Sequence, residues 1–243
     1  MCLRMLIFLG EFMNKLTSYF SKVEWLIFCL STISIIISHF IFNKENYLVL
    51  IASLIGVTSL IFAAKGNPIS QVLMIVFSIT YGIISYSFNY YGEMITYLGM
   101  TMPMAIFALV SWLKHPYKNK KSEVEVNNIE KSDLFLMIVL TIIVTVVFYF
   151  ILKHLNTANL GFSTVSVTTS FAAVFLTFKR SPYFALAYAL NDIVLIILWI
   201  LASFENVSYI SVVVCFLAFL VNDIYGFISW CKMQKRQQKS ESF

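Results

Sequence analysis

Charge is scarce in this sequence: Asp, Glu, Lys and Arg make up only 12% of its 243 residues, roughly half the share usual in a soluble domain. A globule so poor in charge cannot cover its apolar surface. Breakers are scarce too, with four prolines and eight glycines, so apolar runs continue uninterrupted. Cys2, Cys29, Cys215 and Cys231 form neither a CxxC pair nor a His/Cys cluster, which leaves no zinc or redox site to argue from. Three histidines, His39, His115 and His154, stand at segment ends or in loops without partners. P-loop, HExxH and GxSxG motifs are all missing, which speaks against an enzyme and gives no reason to expect a metal or a cofactor. The N-terminus makes a poor signal peptide. The apolar stretch at Met5 is followed by Glu11, Asn14 and Lys15 with no small-residue cleavage site, and either Met1 or Met13 can be the start.

What fills the chain is hydrophobic sequence, 60% of all residues. Eight segments approach the roughly 20 apolar residues needed to cross a bilayer: 25–42, 47–63, 68–88, 95–112, 134–152, 161–178, 183–203 and 207–230. The expected fold is therefore an all-α polytopic membrane protein of about eight transmembrane helices. The net charge of +5 would suggest nucleic acid in a soluble protein. Here the basic residues lie between apolar runs and set topology instead, so nucleic acid is not an expected partner and membrane lipid is. With the N-terminus in the cytoplasm, 15 of the 17 Lys and Arg residues fall on the cytoplasmic side, leaving only Lys44 and Lys153 outside. That asymmetry supports an inner-membrane protein with both termini cytoplasmic.

The chain also repeats itself. Lys65-Gly66-Asn67-Pro68 opens the third segment and Lys179-Arg180-Ser181-Pro182 the seventh, each with Pro where a helix can start without losing a needed N–H. Trp112 and Trp230 close the corresponding last segments, in positions suited to interfacial belt aromatics. The implied organisation is a cytoplasmic N-terminus (1–24), an extra helix (25–42), a first three-helix repeat (47–112), a cytoplasmic loop (113–133), a linker helix (134–152), a second three-helix repeat (161–230) and a cytoplasmic tail (231–243). Two odd-helix repeats joined by one linker helix lie parallel, a 3 + 1 + 3 arrangement.

Within those spans the carboxylates are Asp192 and Asp223, each preceded by asparagine. Asn191 lies eight residues from the start of its segment at Tyr183 and Asn222 eight from the end of its own at Trp230, so both pairs sit about 12 Å inside the same boundary. Intramembrane carboxylates are costly and point to a substrate site. Tyr188 and Tyr225 fall on the faces of Asn191 and Asn222, and Trp199 lies about two turns beyond Asn191. Aromatic faces attract a cation and Asn/Asp bond hydroxyls, so the set suits an organic cation carrying hydroxyl groups. In the first repeat Gln71 and Tyr81 are the notable polar residues, and Pro103 can kink its helix. Ser163, Thr164, Ser166, Thr168, Thr169 and Ser170 read as a close-packing seam rather than a binding face.

The stretch Asn222-Asp223-Ile224-Tyr225-Gly226-Phe227-Ile228-Ser229-Trp230 resembles the last-helix motif of the PnuC-type nicotinamide riboside transporters. Tyr91-Gly92-Glu93-Met94 with Met102-Pro103 and Trp112 is similar to the matching part of the first repeat, and Ser181-Pro182-Tyr183-Phe184 with Asn191-Asp192 and Trp199 to the other binding helix. The resemblance runs from about Ala52 to Trp230. It implies a fold like that of the SWEET carriers, import of nicotinamide riboside by facilitated diffusion, trapping by cytoplasmic phosphorylation, and a homotrimer. It also adds Phe184 to the binding set, because members carry tryptophans near Tyr183 to Tyr188 where this chain has Tyr183, Phe184 and Tyr188. That departure keeps thiamine and riboflavin as alternative substrates. A substrate-binding membrane subunit of an energised importer is the alternative role.

Overall fold

The computed structural model describes residues 18–87 and 91–241; Cys2, Arg4, Lys15 and Phe88 lie outside them. Among the described residues eight long helical segments follow one another: α1 Lys22–Phe42, α2 Tyr47–Ala63, α3 Ile69–Ser87, α4 Tyr91–Lys114, α5 Lys131–His154, α6 Leu160–Phe178, α7 Tyr183–Ser203 and α8 Ile210–Glu241. Among the described residues no strand forms beyond an isolated bridge between Pro116 and Val124. Of the helices among the described residues, seven are long and apolar enough to span a bilayer, and α2 is a shorter apolar helix of 17 residues. The chain is thus an all-helical, multi-pass membrane protein.

Local chemistry sets the ends. α1 begins with a capping box, in which the Glu24 backbone N–H donates to Ser21 Oγ (3.3 Å) and the Ser21 N–H donates to Glu24 Oε2 (2.6 Å). The Asn46 side chain caps α2 by accepting from the Val49 N–H. Within α4, Tyr97–Thr101 is a π-turn. The extra residue leads into Pro103, which has no N–H to give the preceding turn.

The α2–α3 and α6–α7 connections are built alike. Gly66 takes a left-handed φ of 65°, the Asn67 N–H reaches the Phe62 carbonyl (3.1 Å) and the Gly66 N–H reaches Ala63 (2.9 Å). Arg180 repeats this at φ 57°, with Ser181 bonded to Leu176 (3.1 Å) and Arg180 to Thr177 (3.0 Å). An L-residue other than glycine pays about 1–2 kcal/mol there.

The tryptophans tie these turns to the opposite half. Trp112 Nε1 donates to the Thr177 carbonyl (2.9 Å) and Ser111 Oγ to Phe178 (2.9 Å). Reciprocally, Trp230 Nε1 donates to Ala63 (2.7 Å) and Ser229 Oγ to Ala64 (2.7 Å). Both indoles are 0% exposed and their centroids stand 5.4 Å apart. They are therefore not belt aromatics at the lipid interface. A buried indole N–H must find an acceptor, and each finds a carbonyl in the last turn of a helix distant in the chain, alongside that turn's own N–H donor.

The 113–133 segment straps across this junction. The Val124 N–H bonds the Gly66 carbonyl (2.9 Å) and the Asn127 N–H the Arg180 carbonyl (3.0 Å), and Val124 is wholly buried. α8 continues beyond Trp230 as helix and clamps the strap: Gln237 accepts from the Val126 N–H (2.8 Å) and donates to Glu123 (2.9 Å), and Arg236 pairs with Glu123. Two further ion pairs tie flanking helices to the turns, Lys65 to Glu24 of α1 (3.3 Å) and Lys179 to Asp133 of α5 (2.7 Å). We call this the lysine-rich face. Helices α7 and α8 pack most extensively on each other. The main core joins α2, α3, α4, α7 and α8 around Phe77, Tyr81, Tyr97, Phe216 and Phe219. Gly56 lets α8 close on α2, since a Cβ there would stand 2.3 Å from the Phe219 ring.

Candidate substrate site

Asp192 on α7 and Asp223 on α8 meet across the central seam. They are 3% and 4% exposed, and their carboxyl groups are within hydrogen-bonding reach of each other. A hydrogen bond between two carboxyls needs at least one proton, so the pair carries at most one negative charge. Neither takes part in the three ion pairs found among the described residues. A carboxyl pair buried without a protein counter-ion is an attractant for a cation in a low-dielectric seam, because a cation there favours its ionised form.

The asparagines beside them face elsewhere. Consecutive residues on a helix are about 100° apart, so Asn and Asp of one pair cannot point into one space. Asn191 Oδ1 accepts from Thr169 Oγ1 (2.8 Å) and Ser170 Oγ (3.1 Å) of α6. Asn222 Nδ2 donates to Ser31 Oγ of α1 (2.9 Å) and to the Ala218 carbonyl (2.8 Å). The asparagines tie the α7–α8 pair to its neighbours, and the hydroxyl-rich stretch of α6 supplies one set of partners. Two buried acceptors at this level, Asp192 Oδ2 and Asn222 Oδ1, have no hydrogen-bond partner. Burying an acceptor so costs about 1–3 kcal/mol, and a ligand carrying O–H or N–H donors would recover it.

Aromatics frame the carboxyl pair. Tyr188 is hydrogen-bonded to Thr177 and lies within electrostatic range of both aspartates. Tyr97 lies within range of Asp192 and Tyr188, and its ring centroid stands 4.5 Å from that of Tyr81 at a tilt of 48°, while Tyr81 in turn neighbours Phe77 at 5.5 Å. Trp199 belongs to the same buried core, packed at 5.3 Å against Tyr209. Phe184 lies below, 4.8 Å from Trp230 and 6.3 Å from Tyr188, in the floor formed with Trp112. Two of the residues singled out in the sequence sit apart from the pair. Tyr225 turns toward α1 and donates its hydroxyl to Glu24 Oε1 (3.0 Å). Gln71 is buried in the first turn of α3, where its amide donates to Ser70 Oγ (3.3 Å).

Sequence reasoning missed Tyr97 and Glu93. The segment limit at residue 95 left Glu93 in a loop, whereas the structure makes it part of the first turn of α4. Glu93 lines a cavity of about 180 Å³ with Trp199, Glu205, Asn156 and Thr157, on the face opposite the strap. Tyr97 lies one turn further along, so polar groups run from this cavity through Tyr97 to the carboxyl pair. A helical projection extended to Tyr91 would have put Glu93 and Tyr97, four residues apart, on one face.

The family model described as "Nicotinamide mononucleotide transporter" matches residues 46–232, from just before α2 to just past Trp230. The nicotinamide riboside transporter PnuC of Neisseria mucosa is 28% identical over 221 residues, 88% of this chain and 82% of that protein. The PnuC of Haemophilus influenzae is 22% identical over 195 residues, covering 80% and 83%. A solved structure described as the vitamin B3 transporter PnuC superposes with a TM-score of 0.77 at 25% identity, covering 90% of this chain and 94% of the other. With the match running through every helix from α2 to the Asn222–Trp230 motif, the chain belongs to the PnuC family of nicotinamide mononucleotide and nicotinamide riboside transporters, a family of membrane carriers rather than enzymes.

Proposed function

We propose that this chain imports nicotinamide riboside by facilitated diffusion, with the Asp192–Asp223 pair as the centre of its binding site. The observation that carries the reading is the buried carboxyl pair beside the unpartnered acceptors Asp192 Oδ2 and Asn222 Oδ1. The substrate is a pyridinium cation bearing ribose hydroxyls and a carboxamide. The carboxyl pair complements its charge, Tyr97, Tyr81 and Tyr188 offer ring faces, and the two acceptors suit its donors. The PnuC proteins of N. mucosa and H. influenzae, named for this substrate, support the choice. Asn191 and Asn222 hold the seam together, Trp199 closes the site toward the opposite face and Phe184 toward the strap. Tyr225 and Gln71 are assigned to the surrounding framework.

A uniporter must open its site to each side in turn. On the lysine-rich face the barrier is the Trp112–Trp230–Phe184 cluster with Val124 beneath it. The matched turns at Lys65 and Lys179 and the reciprocal tryptophan bonds support a parallel 3 + 1 + 3 organisation with α1 as an addition, in which the halves rock about the carboxyl pair. We place the lysine-rich face and both termini in the cytoplasm, on an inner membrane, following the positive-inside rule. Phosphorylation there traps the substrate, and the assembly is a homotrimer, as the family resemblance implies.

Uptake of labelled nicotinamide riboside into proteoliposomes containing only this chain tests the reading. Entry is expected to stop at equal concentrations, with or without a pH gradient. Gradient-driven accumulation would overturn uniport. Failure of the purified chain to transport at all would point to a binding subunit of an energised importer. Thiamine and riboflavin as competitors test the choice of vitamin, and neither is expected to displace nicotinamide riboside.

A further inference from the structure

A second pocket lies far from the carboxyl pair, where the ends of α4 and α6 meet the strap. It measures about 330 Å³ and is lined by Phe107, Val110, Lys114, His115, Lys179 and Arg180, among others. Its composition is unusual for a contact between protein segments. Arg180 Nη1 donates to Ser111 Oγ (2.9 Å) and stands 3.0 Å from His115 Nδ1, while Nε donates to the Glu125 backbone carbonyl (3.2 Å). Its fixed partners are thus hydroxyl, imidazole and carbonyl. None of the three ion pairs among the described residues includes Arg180, Lys114 or His115. Lys179 is already committed to Asp133. The carboxylate of Glu125 lies within electrostatic range of Arg180, but the contact itself is made by its backbone. Half-burial lowers the hydration of the guanidinium without supplying a paired anion.

The walls below the cations are apolar and open sideways. Phe107 is 57% and Val110 43% exposed, both on the outer surface of a membrane-spanning helix. The pocket therefore sits at the boundary between hydrocarbon and the lysine-rich face. A free anion would use only the upper, cationic half. A ligand with a phosphate above and a hydrocarbon segment below would use all of it.

We propose that this pocket binds the phosphate ester of an anionic membrane phospholipid. Arg180, Lys114 and His115 face the headgroup, and Phe107 and Val110 take the first segment of an acyl chain. Arginine is suited to this, because its planar fork binds two phosphate oxygens at once, and basic pockets between helices at the membrane surface bind such headgroups. The site lies next to the gate, since Ser111 and the Arg180 turn both belong to the Trp112–Thr177 junction. A bound headgroup braces that junction. The inference stands on its own geometry and does not depend on the identity of the transported substrate.

The test is lipid retention and thermal stability of the full chain, delipidated in neutral detergent and titrated with phosphatidylglycerol or phosphatidylcholine. Native mass spectrometry counts the bound lipid. Phosphatidylglycerol is expected to remain bound and to raise the Tm, phosphatidylcholine to do neither, and millimolar inorganic phosphate neither to stabilise nor to displace the lipid. Lys114→Gln, an exposed change with no bond to lose, is expected to keep the lipid-free Tm and to weaken phosphatidylglycerol retention about five-fold, the weight of one cation near a lipid surface. Arg180→Gln is expected to weaken it further. Equal retention of both lipids, or unchanged phosphatidylglycerol retention in both variants, overturns the proposal. Displacement of the lipid by phosphate assigns the site to a free anion and overturns it equally.

Discussion

Neutralising the carboxyl pair one member at a time is the sharpest test of the central site. In the structure Asp192 and Asp223 stand within hydrogen-bonding reach of each other in a buried seam, which requires at least one proton between them and allows at most one negative charge. Asp223→Asn replaces one carboxyl with an amide that can still donate to Asp192, and one carboxyl remains to carry the charge. Asp192→Asn does the same from the other side. Only the double variant removes the charge. A pyridinium stacked near the pair would have its charge about 5 Å from the carboxylate. At an effective dielectric of about 20 that attraction is about 3 kcal/mol, or roughly 10²-fold in affinity. The expectation is a weakening below about ten-fold for either single variant and of about 10²-fold for the double, read by calorimetry in detergent. The uncharged dihydropyridine form of the same nucleoside provides the control, because its binding should change little in the double variant. All three substitutions are nearly isosteric, and melting curves check that the fold survives. If either single variant loses as much as the double, or if the double binds the cation as the unsubstituted chain does, the one-charge account is wrong.

Three further outcomes are expected. Asp223→Ala and Asn222→Ala should each weaken binding of nicotinamide riboside about ten-fold, the weight of the hydrogen bonds lost, while the chain still elutes as a folded species, and normal calorimetric affinity in either variant would remove that residue from the site. Trp230→Phe keeps an aromatic ring but removes the second donor of the Ala63 carbonyl, which retains the Gly66 N–H; a Tm drop corresponding to about 1 kcal/mol for the lost bond is expected, and Trp112→Phe should match it at Thr177, which retains the Arg180 N–H. Gly66→Ala puts an L-residue at φ 65° with its Cβ 3.1 Å from Met233 Cε, and thermal unfolding should show a loss of about 1–2 kcal/mol.

Much of the architecture is legible in the sequence because the bilayer allows few answers. A run of about 20 apolar residues has to become a helix there, and segments 47–63 and 183–203 coincide with α2 and α7 at both ends. The paired Lys-x-x-Pro turns are legible too, since proline position and left-handed φ are local matters. The candidate site is harder to read. Asn191-Asp192 and Asn222-Asp223 announce themselves as polar groups in apolar helices, but their division of labour depends on which helix lies on each side. No spacing within α8 reveals that Ser31, far away in the chain, receives the Asn222 amide. Tyr225 lies on the Asn222 face as expected, and that face meets α1. Trp112 and Trp230 resemble interfacial anchors in one dimension. Only their three-dimensional pairing shows them to be interior residues, each satisfied by the opposite half.

That exchange of donors bears on how the protein is made. The carbonyls of Ala63 and Ala64 end the second spanning helix, yet their donors Trp230 and Ser229 are near the far end of the chain. During synthesis the first hairpin enters the bilayer with the Ala64 carbonyl dependent on water or lipid headgroups and the Ala63 carbonyl held by the Gly66 N–H alone. It cannot reach its mature state until nearly every later residue has been added. The Trp112 bond to Thr177 likewise waits for α6. Final closure on the lysine-rich face is therefore a late assembly event, and a nascent chain truncated before Ser229 would leave the ribosome with its first turn still unsealed.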